Sequence, residues 1–256
     1  MQLIVLGSGS SVPHPTRSSS GYWLETSGGS ILLDCSASAI HRMAQEGCDW
    51  ANLDAIWISH FHLDHCGGLA PFLFGTKYAP TTQSRIKPIK IYGPSGLKDL
   101  ITAFDSAYDY GLLVQPFPTE IIEVEPSKQF DLFEGVTAKT FSTPHTDESC
   151  AIRIDDATGS IAFSADTGYS TNLGVFARGV DVLLIECSFI AEKPVTIHLN
   201  LADIEQIARF AKPKRIVLTH LYPEWDDKVA PTKIGGIDTT LAFDGLRLDT
   251  SERTES

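Results

Sequence analysis

The sequence predicts an α/β fold built as a layered sandwich, in which helices cover sheets. Three observations carry this. The first half is rich in hairpin signals, the second ends in a strand–helix–strand unit, and the helix of that unit has a single apolar face. Leu3 to Leu6 reads as a buried strand ending at Gly7-Ser8-Gly9. Tyr22 to Glu25 and Ser30 to Asp34 read as a hairpin around Gly28-Gly29, a pair that tolerates positive φ. A helix is expected over Ala37 to Gln45, stopping at Gly47. The strand Asp54 to Ile58 follows and runs into SHFHLDHCGG. Further strands are expected at Ile89 to Tyr92, Glu120 to Val124, Val136 to Phe141, Cys150 to Ile154, Ser160 to Ser164, Val182 to Glu186 and Arg215 to Thr219. Helices fit Gly68 to Lys77, Gly96 to Tyr108 and Leu201 to Phe210. In the last of these Leu201, Ile204, Ile207 and Ala208 share one face.

With 256 residues, 43% hydrophobic and 20% charged, the chain is long and apolar enough for a sizeable core, and disorder or coiled coil is excluded as a description of the whole. Residues 1–245 are read as one domain, and the polar end LRLDTSERTES, 246–256, as a frayed tail. The net charge of −12 argues against sequence-independent binding to nucleic acid or to an anionic membrane, which needs a basic footprint. No apolar run is long enough to span a bilayer. The start MQLIVLGSGS lacks the basic region of a signal peptide, so a cytoplasmic location is expected. Five scattered cysteines without CxxC spacing fit buried reduced thiols.

The chemistry concentrates in His60-Phe61-His62-Leu63-Asp64-His65. In extended backbone His60 and His62 project to the same side, and Asp64 keeps that period, with His65 following where the chain turns at Gly67-Gly68. Three imidazoles and a carboxylate in six residues at a strand's carboxyl end point to a metal, since burying them together otherwise leaves their desolvation uncompensated. His145, Asp166 and His220 each follow an expected strand and complete a set of seven candidate ligands: His60, His62, Asp64, His65, His145, Asp166 and His220. One tetrahedral ion needs at most four. Seven suit two ions sharing a carboxylate and a water. A nitrogen–oxygen donor set suits zinc, with manganese or iron as alternatives.

These segments resemble the metallo-β-lactamase superfamily, and within it the ribonuclease Z-like and phosphodiesterase branch. The resemblance runs from Leu3 to about Pro223. LLDCSASAIHRM resembles the segment carrying the first motif, with Asp34 in its acidic position, and HFHLDH is the HxHxDH signature. Asp166-Thr167, Glu186 to Phe189, His198 and LTHLYP complete the match. The resemblance implies a four-layer αββα sandwich and a dinuclear metal-dependent hydrolase. His60, His62 and His145 would hold one ion, Asp64, His65 and His220 the other, and Asp166 would bridge. Asp34 would bond a ligand histidine from behind. Asp64, Glu186 and His198 are the catalytic candidates, His198 as the acid that protonates a leaving oxygen and Glu186 as the residue that orients it. A homodimer is also implied.

Ribonuclease Z carries a flexible arm between the third-motif histidine and the bridging aspartate. Here only twenty residues separate His145 from Asp166, which two hairpin strands would consume. The family's basic loop after the first strand reads VPHPTRSSS, with Arg17 its one basic residue. The expected substrate is therefore a small or cyclic nucleotide-like phosphodiester, and RNA is disfavoured. A ribonuclease Z-like transfer-RNA endonuclease, a thioesterase or lactonase of the same fold, and a carrier without turnover are the alternatives. His14, between two prolines in a loop able to line the cleft, and His41 lack ligand spacing. Cys66 reads as a buried thiol, and Gly7-Ser8-Gly9 is a weak nucleotide fingerprint, because Val12 and Pro13 stand where a third glycine and a helix are needed.

Overall fold

The alternation of apolar side chains along each strand settles how the layers stack. In the computed structural model, which describes residues 1–250, the first sheet contains β1 (Gln2–Gly7), β2 (Gly21–Glu25), β3 (Ser30–Leu33), β4 (Ala55–Trp57), β5 (Ile89–Gly93) and β6 (Thr119–Glu123). The second contains β7 (Gln129–Phe133), β8 (Val136–Ser142), β9 (Cys150–Asp156), β10 (Gly159–Phe163), β11 (Val182–Glu186), β12 (Arg215–Thr219), β13 (Lys233–Ile234) and β14 (Ile237–Leu241). The chain then returns to the first sheet as β15 (Arg247–Asp249). Among the described residues the orders are β15-β1-β2-β3-β4-β5-β6 and β13-β14-β12-β11-β10-β9-β8-β7.

Leu3, Val5, Leu33, Ala55 and Trp57 of the first sheet share one core with Ile152, Ile154, Phe163, Val182 and Leu184 of the second. Their neighbours one residue along point the other way. Ile4, Leu32, Ile56 and Ile58 pack under α1 (Ala37–Gln45), α3 (Leu69–Tyr78) and α4 (Leu97–Ser106). Leu183, Ile185, Ile216 and Leu218 pack under α5 (Thr171–Phe176) and α6 (Leu201–Ala211). Strands buried on both faces, one against a sheet and one against helices, make the four-layer αββα sandwich. Each fully buried Leu or Ile contributes about 1.5–3 kcal/mol of apolar transfer.

Parallel pairing decides where the site lies. The chain runs parallel from β3 to β4, β5 and β6, and from β10 to β11, β12 and β14. The carboxyl ends of these strands gather along one edge, and the loops leaving them carry the polar residues. Three of these exits use a left-handed residue that is not glycine: Asp34 (φ 57) after β3, Ala165 (φ 54) after β10 and His220 (φ 55) after β12. Such conformations cost on the order of 1–3 kcal/mol each and persist where the surroundings over-determine them.

Two segments differ from the sequence-based expectation. The end expected to fray from Leu246 instead pairs through β15 with β1, while Leu246 and Leu248 lean on the core between the sheets, so order continues to Thr250, whose N–H donates to Met1 O. The rest of that tail, 251–256, lies outside the described residues. In addition, Leu63–Cys66 is a helical turn, α2, and not a continuation of extended chain. His62 caps it at φ −65, ψ 143, and Gly67 N–H closes on Leu63 O. Asp64 therefore leaves the two-residue period of His60 and His62. The two-residue β13 and the six-residue α5 are too short to show a period, and β7 and β14, though as long as β11 and β12, are mostly half-exposed and lack their continuous apolar run.

Candidate metal centre

The seven expected ligands arrive from four strand exits and the turn just described. His60 and His62 leave β4 in extended conformation with ring centroids 4.7 Å apart. Helix α2 then swings Asp64 and His65 sideways. His145 comes from the β8–β9 loop, Asp166 follows β10 and His220 follows β12. The structure brings all seven together, in the two groups His60, His62, His145, Asp166 and Asp64, His65, His220, with donor atoms in each within 4.8 Å of one another.

One carboxylate oxygen lies at the middle. Asp166 Oδ2 is 3.2 Å from His220 Nε2, 3.3 Å from His65 Nε2, 3.7 Å from His145 Nε2 and 3.8 Å from His60 Nε2. Asp64 Oδ2 is 3.4 Å from His220 Nε2 and 3.5 Å from His65 Nε2, and His62 Nδ1 is 3.1 Å from His145 Nε2. Two donors on a tetrahedron with bonds of about 2.0–2.1 Å stand about 3.3–3.4 Å apart. The observed spacings bracket that value.

The buried polar atoms test the fit independently. His60 Nε2 and His65 Nε2 are buried and have no hydrogen-bond partner among the described residues. Buried imidazole nitrogens left unpaired are costly, and a divalent cation accounts for both. Their other nitrogens are engaged: His65 Nδ1 donates to Asp34 Oδ2 at 2.6 Å and His60 Nδ1 lies 3.0 Å from Ser59 Oγ; His145 Nδ1 likewise donates to the Ile197 carbonyl at 3.0 Å. Asp34 thus holds the His65 ring from the side away from the donor cluster.

Electrostatics favour cations here. Burial pushes the Asp166 and Asp64 carboxyls up, but the histidines around them outweigh it and hold both below the usual carboxylate range. Burial drives the pKa of His60 and of His145 down, which favours the neutral imidazole, the form able to hold a cation. At His65 burial opposes the charged form, but Asp166 and Asp34 overcome it and raise its pKa well above the ordinary value. Cys66 stays out of the donor set. Its Sγ donates to Phe61 O, and burial pushes the thiol up to about 12. All five cysteines are buried free thiols.

Glu186 and His198 stand beside the ligands. Glu186 Oε1 accepts from His198 Nδ1 at 2.9 Å and from Thr167 N–H at 2.7 Å. The His198 ring stacks on His220 with centroids 5.4 Å apart and planes 17° apart. Gly168 permits this closeness, since a Cβ there would lie 2.4 Å from Thr196 O on the loop that delivers His198. Immediately after His198 and Leu199, Asn200 caps α6 in a reciprocal pair with Asp203, which ends the loop at a defined point.

Beside the ligands lies a cleft of about 810 Å³ walled by Ser11, His14, Arg17, Ser38, His62 and Asp64. His14, unassigned from sequence, lines it and is anchored: Nε2 donates to Asp226 at 3.1 Å while Nδ1 accepts the N–H groups of Thr16 and Arg17. Arg17 also pairs with Asp226. Ser59 and Asp226 are not singled out by the sequence, and Thr167 and Ser188, though inside matched segments, are given no role of their own. Ser59 directly precedes His60 and Ser188 follows Glu186 by two, the one local signal available.

Residues 1–238 match the family described as Anti-Pycsar protein Apyc1. The chain belongs to that family. It is also similar to the probable metallo-hydrolase YhfI of Bacillus subtilis (26% identity over 224 residues, 86% of this chain and 87% of the relative). A ribonuclease Z of Mycobacterium sp. strain KMS is 28% identical over 244 residues, covering 87% of this chain and 85% of the relative. Among solved structures, human tRNase Z, short form, superposes with a TM-score of 0.79 at 24% identity, covering 97% and 98% of the two chains. The fold is that of the metallo-β-lactamases. With two donor groups in place and metallo-hydrolases among its relatives, the chain is a metal-dependent hydrolase. No helix among the described residues is long and apolar enough to cross a membrane.

Proposed function

We propose that the chain is a phosphodiesterase acting on a small or cyclic nucleotide-like diester. The observation that carries this is the Glu186–His198 pair set against the ligand His220. A thiolate leaves without a proton, but the alkoxide of a phosphodiester needs one. A histidine acid at the rim of the donor groups suits that leaving group and is superfluous for thioesters. We assign His60, His62, His145 and Asp166 to one divalent cation, zinc by donor type, and Asp64, His65 and His220 to a second, Asp166 lying between them. Such cations supply Lewis acidity toward the phosphoryl oxygens and hydroxide at neutral pH.

The side chains do the rest. Burial opposes a charged His198, and Glu186 more than offsets it, so its pKa is raised and the proton is retained for delivery. With Nδ1 bound to Glu186, Nε2 is the atom that donates. The cleft at Ser11, His14 and Ser38 has the size of a small-ligand site. Its one arginine, Arg17, is held by Asp226 and by the Tyr222 carbonyl. The β9–β10 hairpin takes up the span between His145 and Asp166. With a net charge of −12, these features favour a small diester over RNA. Five unpaired buried thiols suit a reducing, cytoplasmic setting.

The test is hydrolysis of bis(p-nitrophenyl) phosphate and of a panel of cyclic mononucleotides by zinc- or manganese-loaded protein, with Asp166→Ala as control. Turnover that the control lacks is the expected result. Specific cleavage of a transfer-RNA precursor beside inert small diesters would transfer the assignment to the ribonuclease reading. Lactone or thioester turnover alone would overturn phosphodiester chemistry.

A further inference from the structure

Two buried carboxylates on opposite sheets hold their neighbours in the same way. Asp34, after β3, accepts the Ser59 N–H on Oδ1 at 2.8 Å and the Ser59 hydroxyl on Oδ2 at 2.9 Å, and takes His65 Nδ1 directly at 2.6 Å. Glu186, ending β11, accepts the Ser188 N–H at 3.3 Å and the Ser188 hydroxyl at 2.8 Å, both on Oε2, and takes His198 Nδ1 directly on Oε1 at 2.9 Å. In each case the serine oxygen also meets a histidine of the donor groups: Ser59 Oγ lies 3.0 Å from His60 Nδ1, and Ser188 Oγ lies 3.1 Å from His220 Nδ1; Ser188 Oγ is also 3.3 Å from His198 Nδ1, whose proton goes to the nearer Glu186 Oε1 at 2.9 Å.

The proton inventory determines the direction of these contacts. A serine hydroxyl has one proton, and here it goes to the carboxylate, which has none to give. The serine oxygen must then accept from the imidazole Nδ1–H. That leaves His60 and His220 with their protons on Nδ1 and the lone pair of Nε2 facing Asp166. All three groups of each relay are buried: Asp34, Ser59 and His60 are 0% exposed, and Glu186, Ser188 and His220 no more than 2%. No water competes for these contacts, so the tautomer is held.

We propose that Ser59 and Ser188 are paired positioning residues, each passing a carboxylate's hold to a metal-ligand histidine: Asp34 through Ser59 to His60, and Glu186 through Ser188 to His220. Glu186 then serves both the acid His198 and the second donor group, and Asp34 serves both groups, His65 directly and His60 through its serine. The inference rests on the dinuclear-centre reading and is independent of the substrate.

The test is zinc titration of the chelator-stripped full chain, with cobalt absorption as a second readout of donor geometry. Ser188→Ala should weaken the uptake step that depends on His220 about 10- to 100-fold and leave the other unchanged. Ser59→Ala should do the reverse, on the step that depends on His60. Ser188→Thr, which keeps the hydroxyl, should restore the wild-type affinity. Glu186→Gln should weaken the same step as Ser188→Ala without adding to it. In a His220→Ala background Ser188→Ala should cost nothing more, whereas in His60→Ala it should keep its full effect. Melting of the stripped variants monitors folding. Two zinc steps of wild-type affinity in Ser188→Ala, or a loss that persists in His220→Ala, would overturn the relay. A wild-type chain that takes up no zinc would instead overturn the metal centre itself.

Discussion

His65 Nδ1 lies 2.6 Å from Asp34 Oδ2, and both side chains are completely buried. The contact joins residues thirty-one positions apart, one leaving β3 in left-handed conformation and one on the turn α2. It fixes the tautomer of His65 and directs Nε2 at Asp64 and Asp166. Asp34→Ala should lower zinc affinity about 10- to 100-fold. It should also destabilise the metal-free fold, since each orphaned buried donor costs about 1–3 kcal/mol. Zinc titration and thermal melting check both, and unchanged affinity would remove Asp34 from this role.

Asp166 faces four histidine nitrogens, drawn from both donor groups, with a single oxygen. Asp166→Ala should abolish metal retention and turnover together, and His62→Ala should do likewise. Metal content after desalting, measured alongside hydrolysis of the activated diester, reads this out. Full metal occupancy in Asp166→Ala would contradict a bridging position.

His198 bonds Glu186 but carries no ligand role in the assignment above. His198→Ala should retain metal and slow poor leaving groups by about 10²-fold or more, with p-nitrophenolate affected least. A steeper dependence of rate on leaving-group pKa is the expected pattern. Equal slowing across the series would exclude the acid role.

Asp226 gathers His14 and Arg17 and so ties the loop after β1 to the segment after His220. Asp226→Ala should free that wall of the cleft, raising KM several-fold with kcat little changed. A fall in kcat at constant KM would place Asp226 in the chemistry and not in the wall.

Asp181 accepts the Ser160 N–H at 2.7 Å and hydroxyl at 2.9 Å and pairs with Lys214 at 2.5 Å. Burial raises its pKa, but Lys214 and Ser160 outweigh this and hold it below the usual range. A lowered folded-state value means the contribution is fully present above the unfolded value of about 3.9 and is lost as pH falls through the folded one. Asp181→Asn should therefore melt earlier than the parent near pH 6, and the gap should close as pH falls below the unfolded carboxyl value of about 3.9 and through the lower folded one. Parallel curves at every pH would show that the carboxylate's charge plays no part.

Much of this was legible because it is local. The apolar alternation of Val182–Glu186 and Arg215–Thr219 gives strands whose observed bounds match expectation, as does Ala37–Gln45, which Ser36 caps. Four donors within His60–His65 declared a metal without any fold. Asp64 was misread as extended for an equally local reason: nothing in LDH distinguishes a fifth extended residue from the first turn of α2, and the turn is closed by Gly67 and by packing of the fully buried Cys66.

The sequence by itself determined the donor types, the strands that end beside them and the apolar periods that build four layers, because each is written in neighbouring residues. Tertiary structure alone decided which donors lie side by side, which nitrogen of each histidine is engaged, and that Ser59, Ser188 and Asp226 contact these side chains or the cleft wall. Those depend on hydrogen bonds between strand ends far apart in the chain, and such partners exist only once parallel pairing has drawn the carboxyl ends of both sheets to one edge.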